Sequence, residues 1–185
     1  KLEYLLMDAK EKGCDVVFTA GGAQSNHAML TAACAARLGM QAILVLKKRG
    51  VTEHLGNQVL DTLYGAQVHF VDTDSYDDVY AETAHMAAEL EAQGHRCCQI
   101  PVGGSTPLGS VGYVRCVYEM AQQAEAMGVR LDHIVSATGS GGTTAGLLLG
   151  SALYLHKVPV LGVGVDSDPF EEIVPALARG AAERM

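Results

Sequence analysis

Apolar residues along this chain follow two rhythms that take turns. Leu2, Leu5, Leu6 and Ala9 recur at helical spacing, which predicts a helix over about 2–11, closed by Gly13. Residues 15–20 (Asp-Val-Val-Phe-Thr-Ala) form a short apolar run with β-branched members and read as a strand. Residues 28–38, rich in Ala, read as a buried helix ending at Gly39. The alternation continues with strands over 41–46, 68–71, 97–100, 132–137 and 159–165. Helices are predicted over about 55–64, 77–93, 108–127, 144–155 and 170–179. The strands are mostly apolar, and helices separate them. That pattern predicts an α/β fold of three-layer α/β/α type, with parallel strands joined by right-handed crossovers. Residues 101–107 (Pro-Val-Gly-Gly-Ser-Thr-Pro) interrupt the rhythm and cannot continue a strand. They are expected to act as a hinge between a domain over 1–106 and another over 107–185.

Composition narrows the possibilities. The chain has 185 residues, is 49% hydrophobic and 18% charged, and has no Trp, so a core of Ala, Leu and Val is expected. A net charge of -8 argues against nucleic acid as a partner, but not against a small substrate in a locally positive site. The five cysteines, Cys14, Cys34, Cys97, Cys98 and Cys116, include no Cys-x-x-Cys pair. They fit a reducing cytoplasm, with no disulfide framework and no metal site. No signal peptide or membrane span is expected. The chain opens in mid-periodicity at Lys1 and stops just past a helical pattern, which predicts a piece cut at both ends.

Gly21-Gly22-Ala23-Gln24-Ser25-Asn26-His27 joins the first strand to the Ala-rich helix. The two glycines are expected to let the backbone turn sharply there. Ser25 is the natural N-cap, and a helix start favours an anion. With a hydroxyl, an amide and an imidazole in succession, the turn is a candidate site for a carboxylate-bearing ligand. A capped structural turn with a solvated His would look similar.

Thr138-Gly139-Ser140-Gly141-Gly142-Thr143 lies between an apolar strand and a helix start. Three glycines allow successive N–H groups to point inward as an anion nest, and three hydroxyls flank them. No Lys follows, so this is not a triphosphate loop; a permanently bound phosphate monoester fits better. A dinucleotide reading competes, with Asp166 as the ribose-binding acid after the next strand. One turn suited to a phosphate and another suited to a carboxylate would satisfy a phosphorylated cofactor condensed with an amino acid, such as pyridoxal phosphate.

Several motifs occur in order: Lys1-Leu-Glu-Tyr-Leu, Gly22-Ala-Gln-Ser-Asn-His27, Gly56-Asn57, Pro101-Val-Gly-Gly-Ser105, Gly109-x-x-Gly112-Tyr113 and the 138–143 turn. Together they resemble the D-cysteine desulfhydrase and aminocyclopropane-carboxylate deaminase family. These are pyridoxal-phosphate enzymes of the tryptophan-synthase-β fold type. The resemblance implies a smaller domain facing a larger, cofactor-binding one, of which 107–185 would be an incomplete part. It implies that Ser25 contacts the substrate carboxylate and assists proton movement, Asn26 bonds the cofactor's phenolic oxygen, and His27 lines the substrate pocket. Thr138, Gly139, Ser140, Gly141, Gly142 and Thr143 would hold the phosphate, and the loop of Gly103, Gly104 and Ser105 would border the substrate. A homodimer is implied as well.

The deaminase branch usually has Gln where this chain has His27, and the Pro-Val-Gly-Gly-Ser stretch resembles the desulfhydrase branch. The expected reaction is therefore conversion of D-cysteine to pyruvate, ammonia and sulfide. Deamination of aminocyclopropane-carboxylate and elimination from cysteate are the alternatives. A nicotinamide oxidoreductase or a non-catalytic phospholigand-binding module would be alternatives of another class. The family's Schiff-base lysine sits in an Asn-Lys-x-x-Lys-Leu-Glu context whose second lysine matches Lys1. The resemblance thus places the catalytic lysine outside this sequence and implies that these residues alone are inactive. The family's C-terminal part, which faces the pyridine nitrogen, is likewise expected to be missing.

Overall fold

The computed structural model describes residues 1–50 and 54–185. They fall into two compact units, Leu2–Gly103 and Gly104–Met185 with Lys1, so the divide lies within the Pro- and Gly-rich stretch at 101–107.

The first unit contains α1 (Leu2–Glu11), β1 (Val16–Gly22), α2 (Asn26–Leu38), β2 (Gln41–Lys47), α3 (Asn57–Leu63), β3 (Gln67–Val71), α4 (Tyr76–Ala92) and β4 (Cys97–Ile100). The four strands make one parallel sheet in the order β3-β2-β1-β4. Side chains alternate between the faces of a strand. Val16, Phe18, Ala20, Ile43 and Val45 therefore share one face and pack with Val79 and Ala87 of α4. Val17, Thr19, Leu44 and Leu46 take the opposite face, and α2 packs against β1 and β2. Burial on both faces explains why these strands read as continuous apolar runs. Strand order runs outward from β1 to β3, then returns to β4 on the other side of β1. That reversal is where open α/β sheets form a ligand crevice, beyond the carboxyl ends of the strands.

The second unit begins with a single 3-10 turn shared with the first, Val102–Gly104, in which Gly103 and Gly104 have φ of 65° and 59°. It continues with α5 (Pro107–Met127), β5 (Ile134–Thr138), α6 (Gly142–Tyr154), β6 (Val160–Gly164) and α7 (Phe170–Ala182). β5 and β6 pair in parallel. α5 and α6 approach closely along Gly146 and Gly150: a Cβ on Gly150 would lie 2.7 Å from Val117, and one on Gly146 would overlap Ser110 and Tyr113. Among the described residues, no helix is long and apolar enough to cross a membrane, no His/Cys/Asp/Glu group could hold a metal ion, and all five cysteines are free thiols.

Two details differ from the sequence reading. Gly21 and Gly22 are not the turn; they are the last two residues of β1, paired with Leu46 and Lys47. The chain turns afterwards, at Ala23-Gln24. Gly21 is needed for room, since a Cβ there would lie 2.7 Å from the Ser25 Cβ. The second glycine turn also enters its helix earlier than expected, at Gly142 rather than Thr144, because Gly141 takes φ +83° and breaks the strand direction at once.

Candidate active site

The turn after β1 is built from hydrogen bonds that tie each polar side chain to a different part of the first unit. Ser25 is the N-cap of α2, with φ -64° and ψ 116°, and its Oγ accepts from the Ala28 N–H at 3.1 Å. Its own O–H is not consumed by that bond and can still donate. The first turn of α2 carries no acidic residue, so nothing on it opposes an anion at this helix start.

His27 reaches back to the sheet: its Nε2 lies 2.9 Å from Thr19 Oγ1. The buried Thr19 hydroxyl donates to the Ile100 carbonyl at 2.9 Å. A carbonyl can only accept, so the single threonine proton is spent there, and His27 must be the donor in its bond to Thr19. The imidazole is thus fixed as the Nε2–H form and held against β1 and β4 at the point where strand order reverses.

Asn26 Oδ1 accepts from Asn57 Nδ2 at 2.7 Å. Asn57 belongs to a tight cluster with Gln24. Its Nδ2 also donates to the Gln24 carbonyl at 2.9 Å, its backbone N–H donates to Gln24 Oε1 at 2.9 Å, and Gln24 Nε2 donates to the Leu55 carbonyl at 2.8 Å.

The second unit holds the other glycine turn. Thr138 ends β5, buried, with its Oγ1 2.7 Å from Thr144 Oγ1. Gly162 of β6 leaves room for this pair, because a Cβ there would sit 2.6 Å from Thr138 Oγ1. The exposed Gly139 and half-buried Ser140 lead into Gly141, the N-cap of α6, which offers no capping side chain. Thr143, half-buried, lies in the first turn of α6, which has no acidic residue. Ser105 closes the turn from the other side. Its Oγ accepts from the Gly142 N–H at 3.1 Å and lies 2.8 Å from Ser140 Oγ. A Cβ on Gly142 would come within 2.6 Å of that hydroxyl, so only glycine fits this approach. The result is a left-handed residue, a helix start free of acids, and serine hydroxyls at 105 and 140 beside it. Such a constellation suits a phosphate.

Of the residues predicted from sequence, Ser25, Asn26 and His27 share one turn, and Thr138 to Thr143 share the other. Gly103 and Gly104 lie in the 3-10 turn that closes one unit and opens the next. Asp166 lies after β6, exposed, with its Oδ1 accepting from the Ser167 N–H at 2.8 Å. Lys1 groups with the second unit, its Nζ 5.5 Å from the Tyr113 ring centroid, and burial lowers its pKa to about 8. The sequence assigned no role to Thr19, Asn57, Thr144 or Gly162, and it set Ser105 in the loop bordering the substrate. Asn57 and Ser105 carried a signal, through the Gly56-Asn57 and Pro101-Val-Gly-Gly-Ser105 motifs.

Comparison with known proteins gives one consistent answer. Residues 1–184 match the family described as pyridoxal-phosphate dependent enzyme. A Pyrococcus abyssi protein, provisionally named 1-aminocyclopropane-1-carboxylate deaminase, is 42% identical over 167 residues, covering 90% of this chain and 50% of that protein. The D-cysteine desulfhydrase of Serratia proteamaculans is 40% identical over 193 residues, covering 98% and 58%. The crystal structure of an ACC deaminase homologue superposes with a TM-score of 0.87 at 41% identity, covering 98% of this chain and 55% of that one. The chain thus spans about half the length of the curated relatives it matches.

Proposed function

This chain belongs to the pyridoxal-phosphate dependent enzyme family, and from that premise we propose that the protein carrying it is a lyase that converts D-cysteine and water to pyruvate, ammonia and sulfide. The observation that carries the reading is the pair of turns. One offers N–H groups and hydroxyls suited to a phosphate; the other offers a capped helix start, an oriented amide and a fixed imidazole suited to an amino acid.

The residues present fit the cofactor. At Gly142 a Cβ would collide with Ser105, so glycine there lets the Ser105 hydroxyl sit against the start of α6, on the Gly142 N–H and beside Ser140, where it can face a phosphate. Gly139, Ser140, Gly141, Gly142 and the hydroxyls of Thr143 and Ser105 would hold it; Thr138, locked to Thr144, would support the turn from beneath. When bound, pyridoxal phosphate withdraws electrons from the substrate α-carbon so that a group on the β-carbon can leave.

The chain's own residues then bind and orient. Ser25 would donate a hydrogen bond to the substrate carboxylate and assist proton movement, while the Ala28 N–H fixes its oxygen. Asn26 would donate from Nδ2 to the phenolic oxygen. His27, pinned through Thr19, would line the substrate pocket and favour the thiol substrate over the cyclopropane. Gly103 and Gly104 would leave room beside it. We place the lysine that carries the cofactor outside these 185 residues. Lys10, Lys12, Lys47, Lys48 and Lys157 stand in no matching context, and Lys47 is buried with its Nζ 2.5 Å from the Asp74 carbonyl and 3.4 Å from the Tyr76 centroid. We take the working protein to be a cytoplasmic homodimer, in keeping with the resemblance and with five free thiols.

Product analysis tests the proposal. The protein made from the complete reading frame, supplied with D-cysteine, is expected to release pyruvate and sulfide in equal amounts. It should do so faster than it releases 2-oxobutyrate from 1-aminocyclopropane-1-carboxylate. The opposite order would assign it to deamination, and no keto acid from either would refute the lyase reading.

A further inference from the structure

The Gly56-Asn57 motif has been given no role in binding, yet Asn57 makes three hydrogen bonds to the first of the two turns. We infer that Asn57, braced by Gln24, is a positioning residue that fixes which end of the Asn26 amide faces the cofactor. This rests on the cofactor reading above.

The Gln24 carbonyl 2.9 Å from the Asn57 side chain cannot donate, so Asn57 must present its NH2 there. The second proton of that NH2 points to Asn26, 2.7 Å away, and requires an acceptor. Asn26 must therefore turn its Oδ1 toward Asn57, which leaves its own NH2 on the opposite side as a donor. Asn57 is itself held. Its N–H requires an oxygen from Gln24, and the Leu55 carbonyl requires a nitrogen from the same amide, so both ends of the Gln24 carboxamide are fixed by backbone groups. Gly56 makes this possible: its φ is +58°, and a Cβ would lie 2.5 Å from Gln24 Oε1.

A phenolic oxygen is an acceptor, and an amide free to turn would offer it an oxygen part of the time. The clamp removes that option before the cofactor arrives, and such preorganisation is worth affinity without any new contact. The ligand class recognised is an aromatic ring bearing a hydroxyl or phenolate ortho to its reactive substituent.

The test compares two probes: pyridoxal phosphate and its 3-deoxy analogue, which lacks only the phenolic oxygen. Equilibrium binding is measured for the protein from the complete reading frame and for Asn57→Ala. The wild type is expected to favour pyridoxal phosphate by about tenfold, the value of one good hydrogen bond to a charged oxygen. Asn57→Ala should lose most of that preference while binding the deoxy analogue as before. Asn57→Asp keeps the shape but cannot donate to Asn26, so it should lose the preference as well and serves if the alanine variant does not fold. Full preference retained in the variants, or equal loss for both probes, would overturn the clamp and leave Asn57 a structural residue. If the wild type binds neither probe, the cofactor reading itself fails; if it binds both equally, the contact between Asn26 and the phenolic oxygen fails.

Discussion

Ser25 performs two tasks that substitution can separate. It caps α2 through a bond to Ala28, and in our reading it hydrogen-bonds the substrate carboxylate and assists proton movement. Glycine is nearly as good a cap as serine, costing only a few tenths of a kcal/mol, whereas alanine costs about 1 kcal/mol. Ser25→Gly is therefore expected to leave the melting temperature almost unchanged and to reduce keto-acid formation by about 100-fold, the lower bound for loss of a positioned proton donor. Wild-type turnover in Ser25→Gly would confine Ser25 to the cap. The cap was legible in the sequence because its partner lies three residues away. The partners of its neighbours were not. His27 is held by Thr19 and, through it, by Ile100, and Asn26 is held by Asn57. Thr19 lies on β1, Ile100 on β4 and Asn57 on α3, and although Gly56-Asn57 stands out as a motif, nothing local shows which side chain it would hold.

Individual elements carry their own consequences. α3 buries Gln58 and Asp61, and among the described residues Gln58 Nε2 and Asp61 Oδ1 have no hydrogen-bond partner. Burial pushes the Asp61 carboxyl up to about 6, with His54 pulling the other way. In the unfolded chain it would titrate near its ordinary value of about 3.9. Between those values the folded protein holds the proton more tightly than the unfolded one. Asp61 therefore favours folding at the acid end, and its contribution falls as pH rises through about 4 to 6, by on the order of 2 kcal/mol. Asp61→Asn should then melt several degrees higher than the wild type at pH 8, with the gap closing toward pH 4. Parallel melting profiles for the two proteins across that window would contradict the assignment. Strands were the most legible elements, since parallel sheets bury both faces and produce unbroken apolar runs such as that of β2. Glycines were the least legible. Gly21 looks like a turn residue, but it serves close packing against Ser25 inside a strand.

At the level of the molecule, the sequence announced parallel α/β architecture and a break near 101–107. It did not announce the sheet order β3-β2-β1-β4, because strand neighbours depend on which way each crossover turns. It also did not show that Ser105, 35 residues before Ser140, would close the phosphate turn. In our reading the turn at Thr138 to Thr143, with Ser105, holds the phosphate of pyridoxal phosphate. The most direct test is the ratio of affinities for pyridoxal phosphate and for unphosphorylated pyridoxal, measured by equilibrium dialysis for the wild type and for Gly142→Ala. The wild type is expected to prefer the phosphorylated form strongly, and Gly142→Ala to lose most of that preference, because the added methyl group must displace Ser105. Equal affinity of the wild-type protein for the two forms would contradict this reading.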